Sequence, residues 1–235
     1  MSFQDNFYKK IESDSFFKRN FSKLDIKDIR ENKKKNYNFI SNRISFDNKK
    51  VLEVGCFIGD LLHYIKRKNN CKVKGIEPSK LACKYALQKY KIKLENKTLV
   101  NSEFSKFRKK DHKLFDLIIC DDVLSWIDRD VILRSLSILD WVLKDNGYIF
   151  IRDFSPSESI MVKNHHWKKE KIFNFKHKEG HKKIFLNSGK YILIKRNLFI
   201  TDKFQKKEST NLETKKWEDV LIKKIKQYTF KEVKL

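Results

Sequence analysis

The sequence predicts an α/β protein built on a mainly parallel β-sheet with helices on both faces. Short apolar segments typical of buried strands alternate with longer segments whose apolar residues recur every three or four positions. Glycines follow the first strand, and acidic residues follow several strands, as in parallel sheets that bind ligands at one edge. At 235 residues the chain is long enough for one well-packed domain with extensions.

The first predicted strand and the loop after it are the most informative segment. Residues 51–60 read VLEVGCFIGD, in which an apolar run ends at Gly55 and Gly59 precedes a helical pattern. Such glycines let the backbone turn and approach a ligand, although the same spacing also occurs in ordinary tight turns. A second strand, 72–76, ends in Glu77, about where an acidic side chain binds ribose hydroxyls in such folds. Together these features predict a site for a nucleotide-type cofactor.

The remaining elements follow from the periodicity and from end signals along the chain. Before the first strand we expect helices at 7–21 and 26–44, and after it helices that begin near Gly59 and Ser79. Three further strands are predicted at 98–100, 114–120 and 148–154, with a helix at 131–143 that is stopped by residues 144–147. In the last third, strand-like runs at 171–176 and 191–200 flank a short helix at 182–187.

Four motifs, in this order, resemble those of class I S-adenosylmethionine-dependent methyltransferases. They are Glu53-x-Gly55-x-x-x-Gly59, GIEPS at 75–79, FDLIICDD at 115–122 and GYIFI at 147–151. The resemblance is closest over 51–154, and it implies S-adenosylmethionine as the cofactor. It also implies a Rossmann-like sheet of seven strands, mainly parallel, with an antiparallel C-terminal strand. The two last strand-like runs would be the antiparallel pair that completes this sheet. The sequence departs from the family at Phe57, where a glycine is usual.

The resemblance divides the single domain into three parts and implies which residues hold the cofactor. Residues 1–48 would form a helical lid or brace, 49–154 the cofactor-binding core, and 155–235 the C-terminal strands and the substrate side. Residues 101–104 lie where the family contacts adenine, with Ser102 in place of the more usual Asp and Phe104 as a possible stacking ring. The implied cofactor-binding residues are Glu53, Gly55, Cys56, Phe57, Gly59, Glu77, Pro78, Ser102, Glu103, Phe104, Cys120, Asp121 and Asp122.

Further segments resemble one bacterial branch of the family that is tied to sugar and surface-polysaccharide modification. These are DSFFKRN at 14–20, DFSP at 153–156, NHH at 164–166 and FK at 175–176, with Asn164 departing from an aromatic residue usual at that place. The alternative for 14–20 is a surface helix with two buried phenylalanines. The branch implies a small polar acceptor, a hydroxyl or amine of a sugar or nucleotide-sugar.

Methyl transfer from a sulfonium needs a positioned acceptor and, for many acceptors, a group that removes its proton. His165 and His166 are the first candidates for this base, because a neutral imidazole titrates near working pH. Asp153 and Asp122, at the ends of strands, come next. The alternatives are that the histidines form an exposed polar turn and that Asp122 only touches the cofactor.

The net charge of +24 has two interpretations. The lysines are dispersed and accompany many Asn, Ile and Phe residues, which is typical of an AT-rich coding sequence; alternatively, they attract an anion such as a phosphate-bearing sugar or RNA. No module of the kinds that bind RNA is recognisable, so we expect a small-molecule acceptor. An RNA methyltransferase and an inactive, cofactor-binding partner subunit remain as alternative functions.

Composition also limits the location and the metal chemistry. No apolar run reaches the ~20 residues of a membrane helix, and the N-terminus does not read as a signal peptide, so we expect a cytoplasmic protein without membrane contact. The four cysteines have neither Cys-x-x-Cys spacing nor nearby histidines at ligand spacing, and no metal site is expected. The oligomeric state is left open by the sequence.

Overall fold

The structure is a computed structural model that describes residues 2–21, 26–167, 169–200 and 212–226, with only the backbone for 26–30 and 32. Of the predicted lid, Met1 and 22–25 lie outside the described residues, as do 168, 201–211 and 227–235 of the predicted C-terminal region.

A six-stranded mixed sheet forms the centre of the molecule, in the order β2-β1-β3-β4-β8-β7. Strands β1 to β4 are mutually parallel where they pair, and β8 runs antiparallel to both of its neighbours. This confirms the predicted α/β fold with an antiparallel C-terminal strand. The strands are β1 Lys50–Val54, β2 Lys72–Ile76, β3 Phe115–Asp121, β4 Leu143–Phe154, β7 Tyr191–Ile200 and β8 Lys216–Lys224.

The predicted count of seven strands is wrong, because residues 98–100 form no strand. A 3₁₀ helix, Leu99–Asn101, occupies this place, and only Glu95 forms an isolated parallel bridge, to Ile76. The side chain of Asn96 donates to the carbonyl oxygens of Glu77 (3.2 Å) and Pro78 (2.8 Å). Side-chain hydrogen bonds of this kind compete with a strand ladder, which explains why the strand does not continue.

Helices cover both faces of the sheet. Because side chains alternate along a strand, each strand contributes to both faces: Leu52, Ile118 and Ile149 pack with α6 and α7, whereas Val51 and Ile119 pack with α3, α4 and α5. The helices are α1 Phe3–Phe7, α2 Ser13–Phe21, α3 Ile26–Ser41, α4 Asp60–Lys68, α5 Lys80–Tyr90, α6 Ile132–Val142 and α7 Lys182–Asn187, and a π-helical segment, Tyr8–Glu12, joins α1 to α2. Within the described ranges, no helix combines the length and apolar character required to cross a bilayer.

The C-terminal third differs from the prediction in its pairing. The run 191–200 is confirmed as β7, but the run 171–176 contributes β6, Phe173–Lys176, which pairs with β5, Ile160–Lys163, in a separate two-stranded sheet. The partner of β7 is β8, which the sequence analysis missed. Two acidic residues interrupt its apolar pattern, Glu218 and Asp219, and both are buried in ion pairs with basic side chains of neighbouring elements.

The fifth predicted strand begins earlier than expected. Helix α6 ends at Val142 and β4 follows at once from Leu143, with a register shift against β3 before Tyr148. The residue with left-handed backbone in this stretch is Asn146, with φ of 60°, rather than Gly147, and asparagine tolerates this conformation better than most residues. The predicted helix stop is therefore a bend within the start of a strand.

Candidate functional site

The carboxyl ends of the parallel strands bring several acidic side chains to one edge of the sheet. Glu53 lies in β1, and Glu77 directly follows β2. Asp121 ends β3 and pairs in register with Arg152 of β4, next to Asp153. Open α/β sheets bind ligands outside this edge, so these residues define the candidate site.

The loop between β1 and α4 has the backbone geometry that its glycines predicted. Gly55 and Gly59 have φ of 67° and 72°, and Gly59 is the left-handed residue that immediately precedes α4. A Cβ on Gly55 would lie 2.7 Å from Cγ2 of Val123 in the loop after β3, a distance that real Cβ atoms do not show. Glycine at position 55 therefore lets two ligand-side loops approach each other closely.

Glu77 connects the loop after β1 to the start of α5. One of its carboxylate oxygens accepts a hydrogen bond from the backbone N–H of Phe57 (2.8 Å), and the other accepts one from the N–H of Ser79 (2.8 Å). Burial raises the pKa of Glu77 to about 7, although both hydrogen bonds favour the ionised form. Ser79 in turn caps α5, as predicted, by accepting from the N–H of Ala82.

The N-terminal segment adds side chains that the sequence analysis did not assign to the site. Nζ of Lys33 and Nδ2 of Asn36, both on α3, each lie 2.7 Å from Oδ2 of Asp121. Burial alone would raise the pKa of Asp121, but the charges of Lys33 and Arg152 outweigh it and hold the pKa below its ordinary value. The helical pattern ahead of the first strand does not reveal which of its many lysines contacts the acidic edge of the sheet.

A buried hydrogen-bonded group surrounds Asp153 at the end of β4. Its carboxylate accepts from the backbone N–H (2.9 Å) and the hydroxyl (2.5 Å) of Ser125. Nδ1 of His181 lies 3.4 Å from the same carboxylate, and the ring of His177 lies 4.5 Å from that of His181. Neither ring nitrogen of His181 has a hydrogen-bond partner within the described residues. The sequence analysis missed His181, since it stands alone in a lysine-rich segment.

Asp122 lies in the loop after β3 with φ of 53°, a left-handed conformation uncommon for residues other than glycine. Nε1 of Trp126 donates to its carboxylate at 3.1 Å. Burial, together with the charges of Asp153 and Asp121, raises the pKa of Asp122 well above its ordinary value. The edge of the sheet thus holds one aspartate with a lowered pKa beside another with a raised one, which is a pattern typical of functional sites.

Comparison with protein families identifies the class to which the chain belongs. A family model described as a methyltransferase domain matches residues 26–192, well over half of the chain. The chain belongs to this methyltransferase family. The match begins at the start of α3 and ends in β7, so it includes the glycine loop and every acidic residue of the candidate site.

Solved structures with the same fold include methyltransferases from bacteria and archaea. The 1,6-didemethyltoxoflavin N1-methyltransferase of Burkholderia thailandensis, solved with bound 1,6-didemethyltoxoflavin and S-adenosylhomocysteine, has a TM-score of 0.64 at 11% identity over 94% of this chain and 90% of that one. A SAM-dependent methyltransferase of Methanosarcina mazei has a TM-score of 0.62 at 13% identity over 80% of this chain and 97% of that one. The N-methyltransferase NodS of Bradyrhizobium japonicum, solved with S-adenosylhomocysteine, has 0.55 at 15% identity over 83% and 86%.

A curated relative matches over a shorter region. An uncharacterized protein of Rickettsia prowazekii is 27% identical over 112 residues, which are 43% of this chain. The matched region spans only 41% of that protein.

The other residues that the methyltransferase resemblance assigned to the cofactor have varied surroundings. Cys56 and Cys120 are buried in the core, and Pro78 accepts from Asn96 as described above. The hydroxyl of Ser102 donates to the carbonyl of Leu99 (2.7 Å). The carboxylate of Glu103 pairs with Lys74 and Arg108.

Phe104 is buried in the core of the methyltransferase, where its ring packs edge-on against Phe115 at 5.5 Å. The predicted stacking on adenine would require this ring to leave the core.

The two adjacent histidines lie in the turn between β5 and β6, and both are exposed. Their rings are 3.8 Å apart, and the turn is fixed by Asn164, whose buried side chain accepts from the N–H of His166 at 2.9 Å. The histidine that contacts an acidic residue of the strand edge is His181. The role of His165 or His166 as the base of this methyltransferase remains a prediction. Both residues are held by the turn that Asn164 forms.

We predict that Glu77 makes the stability of the methyltransferase fall as pH rises from about 4.5 to about 7. Its pKa is raised in the folded protein, so the protonated carboxyl stabilises the fold below pH 4.5 and this stabilisation is lost as pH rises through about 7. The shift corresponds to about 3 kcal/mol. The free energy of unfolding, measured with urea, should decrease between pH 4.5 and 8. This decrease should be smaller in Glu77→Gln than in the wild type, by the amount given above.

The exposed Glu158 offers a matched control, and Glu158→Gln should keep the pH dependence of the wild type. Equal pH dependence of the stability of the wild type and of Glu77→Gln would contradict the assignment of this pH dependence to Glu77.

Proposed function

We propose that this protein transfers a methyl group from S-adenosylmethionine to a small polar acceptor, a hydroxyl or amine of a sugar or nucleotide-sugar. One observation carries the proposal: the glycine loop after β1 is hydrogen-bonded to Glu77 after β2. This contact lies at the carboxyl edge of the central sheet, in a chain that belongs to a methyltransferase family. S-adenosylmethionine supplies a methyl group already activated by its sulfonium. The protein has to bind this donor, place the acceptor in line with the methyl group and receive a proton where the acceptor loses one.

The residues at the edge fit such a donor. A Cβ at Gly55 would fill the space between the two loops, and Glu77 presents a buried carboxylate for ribose hydroxyls. Both carboxylate oxygens of Glu53 are shielded from solvent and lack hydrogen-bond partners among the described residues, as a place for the ammonium group of the donor requires. We therefore assign donor binding to the loop 53–60 and to Glu77, as the sequence predicted.

Two features support an acceptor that is small and anionic. One structural neighbour was solved with a bound small molecule, 1,6-didemethyltoxoflavin, and another is an N-methyltransferase. The net charge of +24 would attract a phosphate-bearing sugar, and the buried Lys176, whose pKa burial lowers to about 8, interacts electrostatically with Asp122 and Asp153. Residues 1–48 would act as a lid over this site, and a nucleotide-sugar acceptor agrees with action in the cytoplasm.

A turnover assay tests the acceptor. The full chain is incubated with S-adenosylmethionine and each of a set of nucleotide-sugars with free hydroxyl or amino groups, or with a folded RNA transcript, and S-adenosylhomocysteine is measured. We expect turnover that depends on a nucleotide-sugar and changes little with salt. Turnover only on RNA, falling steeply with salt, would favour the RNA alternative. Donor binding without turnover on any acceptor would favour the partner-subunit alternative.

The same assay identifies the proton acceptor. We predict that the variant that removes the base lowers turnover about 10²- to 10⁴-fold and leaves the affinity for S-adenosylhomocysteine near that of the wild type. The variants to compare are His165→Ala, His166→Ala, Asp122→Asn and Asp153→Asn, with His181→Ala added because of its contact with Asp153. Full turnover in both single variants of the exposed pair would remove the two histidines from the mechanism.

Gly55→Ala tests the donor loop. We expect it to weaken S-adenosylhomocysteine binding at least about 10-fold in calorimetry, because the new Cβ would displace Val123 and with it the loop that carries Asp122. Gly189→Ala is a matched control, since Gly189 also has a positive φ, of 69°, but lies after α7. Unchanged affinity in Gly55→Ala would contradict the loop assignment.

A further inference from the structure

The π-helical segment between α1 and α2 brings an aromatic side chain to the loop after β3. Segments with π-helical hydrogen bonds are rare and occur frequently at functional sites. This one, Tyr8–Glu12, begins with Tyr8, whose ring centroid lies 6.5 Å from that of Trp126. Nε1 of Trp126 in turn donates to the carboxylate of Asp122. Tyr8 therefore lies beside the aspartates that end and follow β3.

The last residue of the same segment, Glu12, connects it to the turn between β5 and β6. Glu12 is 2% exposed, and its carboxylate accepts from Nε1 of Trp167 and from Nη2 of Arg19 (2.7 Å). Phe7 packs edge-on against Trp167, with ring centroids 4.9 Å apart. Nε of Arg19 is shielded from solvent and has no hydrogen-bond partner among the described residues. A buried carboxylate thus fixes a second tryptophan ring and leaves one guanidinium donor unused.

The hydroxyl of Tyr8 keeps a proton that it can donate. Burial and then the charge of Glu12 raise the pKa of Tyr8 well above its ordinary value, and they outweigh a hydrogen bond with Asn164. The side-chain oxygen of Asn164 already accepts from the N–H of His166, so the amide N–H groups of Asn164 remain for Tyr8. The phenol oxygen accepts from Asn164, and its own O–H is directed elsewhere.

These rings lie beside the loop 53–60 rather than within it. Asp122, which Trp126 contacts, is followed by Val123, the residue that a Cβ on Gly55 would meet. A molecule on the ring of Trp126 would therefore border the loop that we assign to the methyl donor.

Gln4 joins the two parts of the structure that carry the tryptophans. Its Nε2 donates to the carbonyl oxygens of Trp126 (3.0 Å) and of Phe173 in β6 (2.9 Å), and its Oε1 accepts from the N–H of Phe173 (2.9 Å). Tyr8, Trp126 and Trp167 are each partly exposed. Three rings from three separate segments are thus held in place with part of their surface open to a ligand.

This combination of groups fits a sugar ring. Aromatic side chains with a small number of fixed hydrogen-bonding groups are typical of sites for small molecules. A sugar ring has an apolar face of C–H groups, which packs on aromatic rings, and a rim of hydroxyls, each of which donates and accepts. The O–H of Tyr8 and the unused N–H of Arg19 are donors suited to such a rim.

We propose that Tyr8, Trp126 and Trp167 form the subsite for the sugar ring of the acceptor, with the aromatic rings against the sugar and the hydroxyl of Tyr8 bonded to one of its hydroxyls. This inference rests on the proposed function, and it names residues outside both the donor loop and the base candidates. The π-helical segment thus takes part in selecting the acceptor.

Calorimetry on the full chain saturated with S-adenosylhomocysteine tests this subsite. The probes are UDP-glucose, GDP-mannose and dTDP-glucose, each compared with its free nucleoside diphosphate. We expect the wild type to bind at least one nucleotide-sugar more tightly than the matching diphosphate. Tyr8→Phe, which removes only the hydroxyl, should weaken binding of that nucleotide-sugar about 3- to 10-fold. It should leave the affinities for the diphosphate and for S-adenosylhomocysteine unchanged.

Two further variants complete the test. Trp126→Leu should weaken the same nucleotide-sugar by a similar factor, because an aromatic contact is lost. If Trp126→Leu fails to fold, Trp126→Phe replaces it, and the change in tryptophan fluorescence on adding the nucleotide-sugar should be smaller than in the wild type. Tyr148→Phe is the matched control, since Tyr148 is also partly exposed but pairs with Leu117 near the start of β3. It should bind every probe like the wild type.

Three results would overturn the subsite. Unchanged binding in Tyr8→Phe and in the Trp126 variant would make these rings structural. Equal weakening of the nucleotide-sugar and its diphosphate would place the nucleotide base on the rings, and equal weakening of S-adenosylhomocysteine would place the methyl donor there. Failure of the proposed function is distinguishable, because the wild type itself would then neither bind nor methylate a nucleotide-sugar, and this inference would fail with it.

Discussion

The concentration of carboxylates at one edge of the parallel sheet is the constraint on which the rest of the structure depends. Parallel strands end side by side, so the acids at their ends meet in a region that helices shield from water. Each buried carboxylate then needs hydrogen-bond donors or a cation. Glu77 receives backbone N–H groups, Asp121 receives Lys33 and Asn36, and Asp153 receives Ser125. Glu53 receives none from the described residues, which makes it the place where a ligand contributes most.

The N-terminal segment contacts the loops around this edge at several places. Asp14 accepts from the hydroxyl of Ser79 (2.6 Å) and from the N–H of Leu81 (3.1 Å), at the start of α5. Gln4 donates to the carbonyl of Trp126 at 3.0 Å, in the loop after β3. These contacts and that of Lys33 are made with loops and strand ends rather than with strand interiors. The hydrogen bonds of the segment are thus directed to the loops around the candidate site, while α3 also packs on the face of the sheet through Ile40.

The sequence was sufficient for those parts of the fold that depend on local patterns. Buried parallel strands produce continuous apolar runs, and the turns at Gly55 and Gly59 require glycine, so the core and its loop could be predicted. Strand β8 could not be predicted, because Glu218 and Asp219 resemble surface residues in the sequence. Their partners, Lys182 and Arg152, are brought to them by the fold. The prediction of a strand at 98–100 failed for a related reason, because hydrophobic periodicity does not reveal the side-chain hydrogen bonds of Asn96.

The candidate site shows the same division between local and long-range information. Acids that directly follow a strand are recognisable by position alone, which is why Glu77 and Asp121 were found. Lys33 and His181 are separated from the acids they meet by 88 and 28 residues respectively, and no spacing rule connects them. A chain with 54 lysines and arginines offers many equally plausible cations, and only the packing of α3 on the sheet selects one of them.

Phe57 shows how a departure from the family pattern is accommodated. Its φ of 49° costs a residue with a Cβ about 1–2 kcal/mol, which the usual glycine would avoid. The ring of Phe57 packs against Phe16 and Phe17 of α2, with centroids 5.7 and 5.8 Å away, and aromatic pairs contribute about 0.5–1.5 kcal/mol each beyond the area they bury. Its N–H also donates to Glu77. The strain is thus offset by contacts that exist only when α2 is in place, so the shape of the glycine loop and the position of the N-terminal segment depend on each other. In this chain a glycine at position 57 would relieve the strain but would also detach the loop from α2.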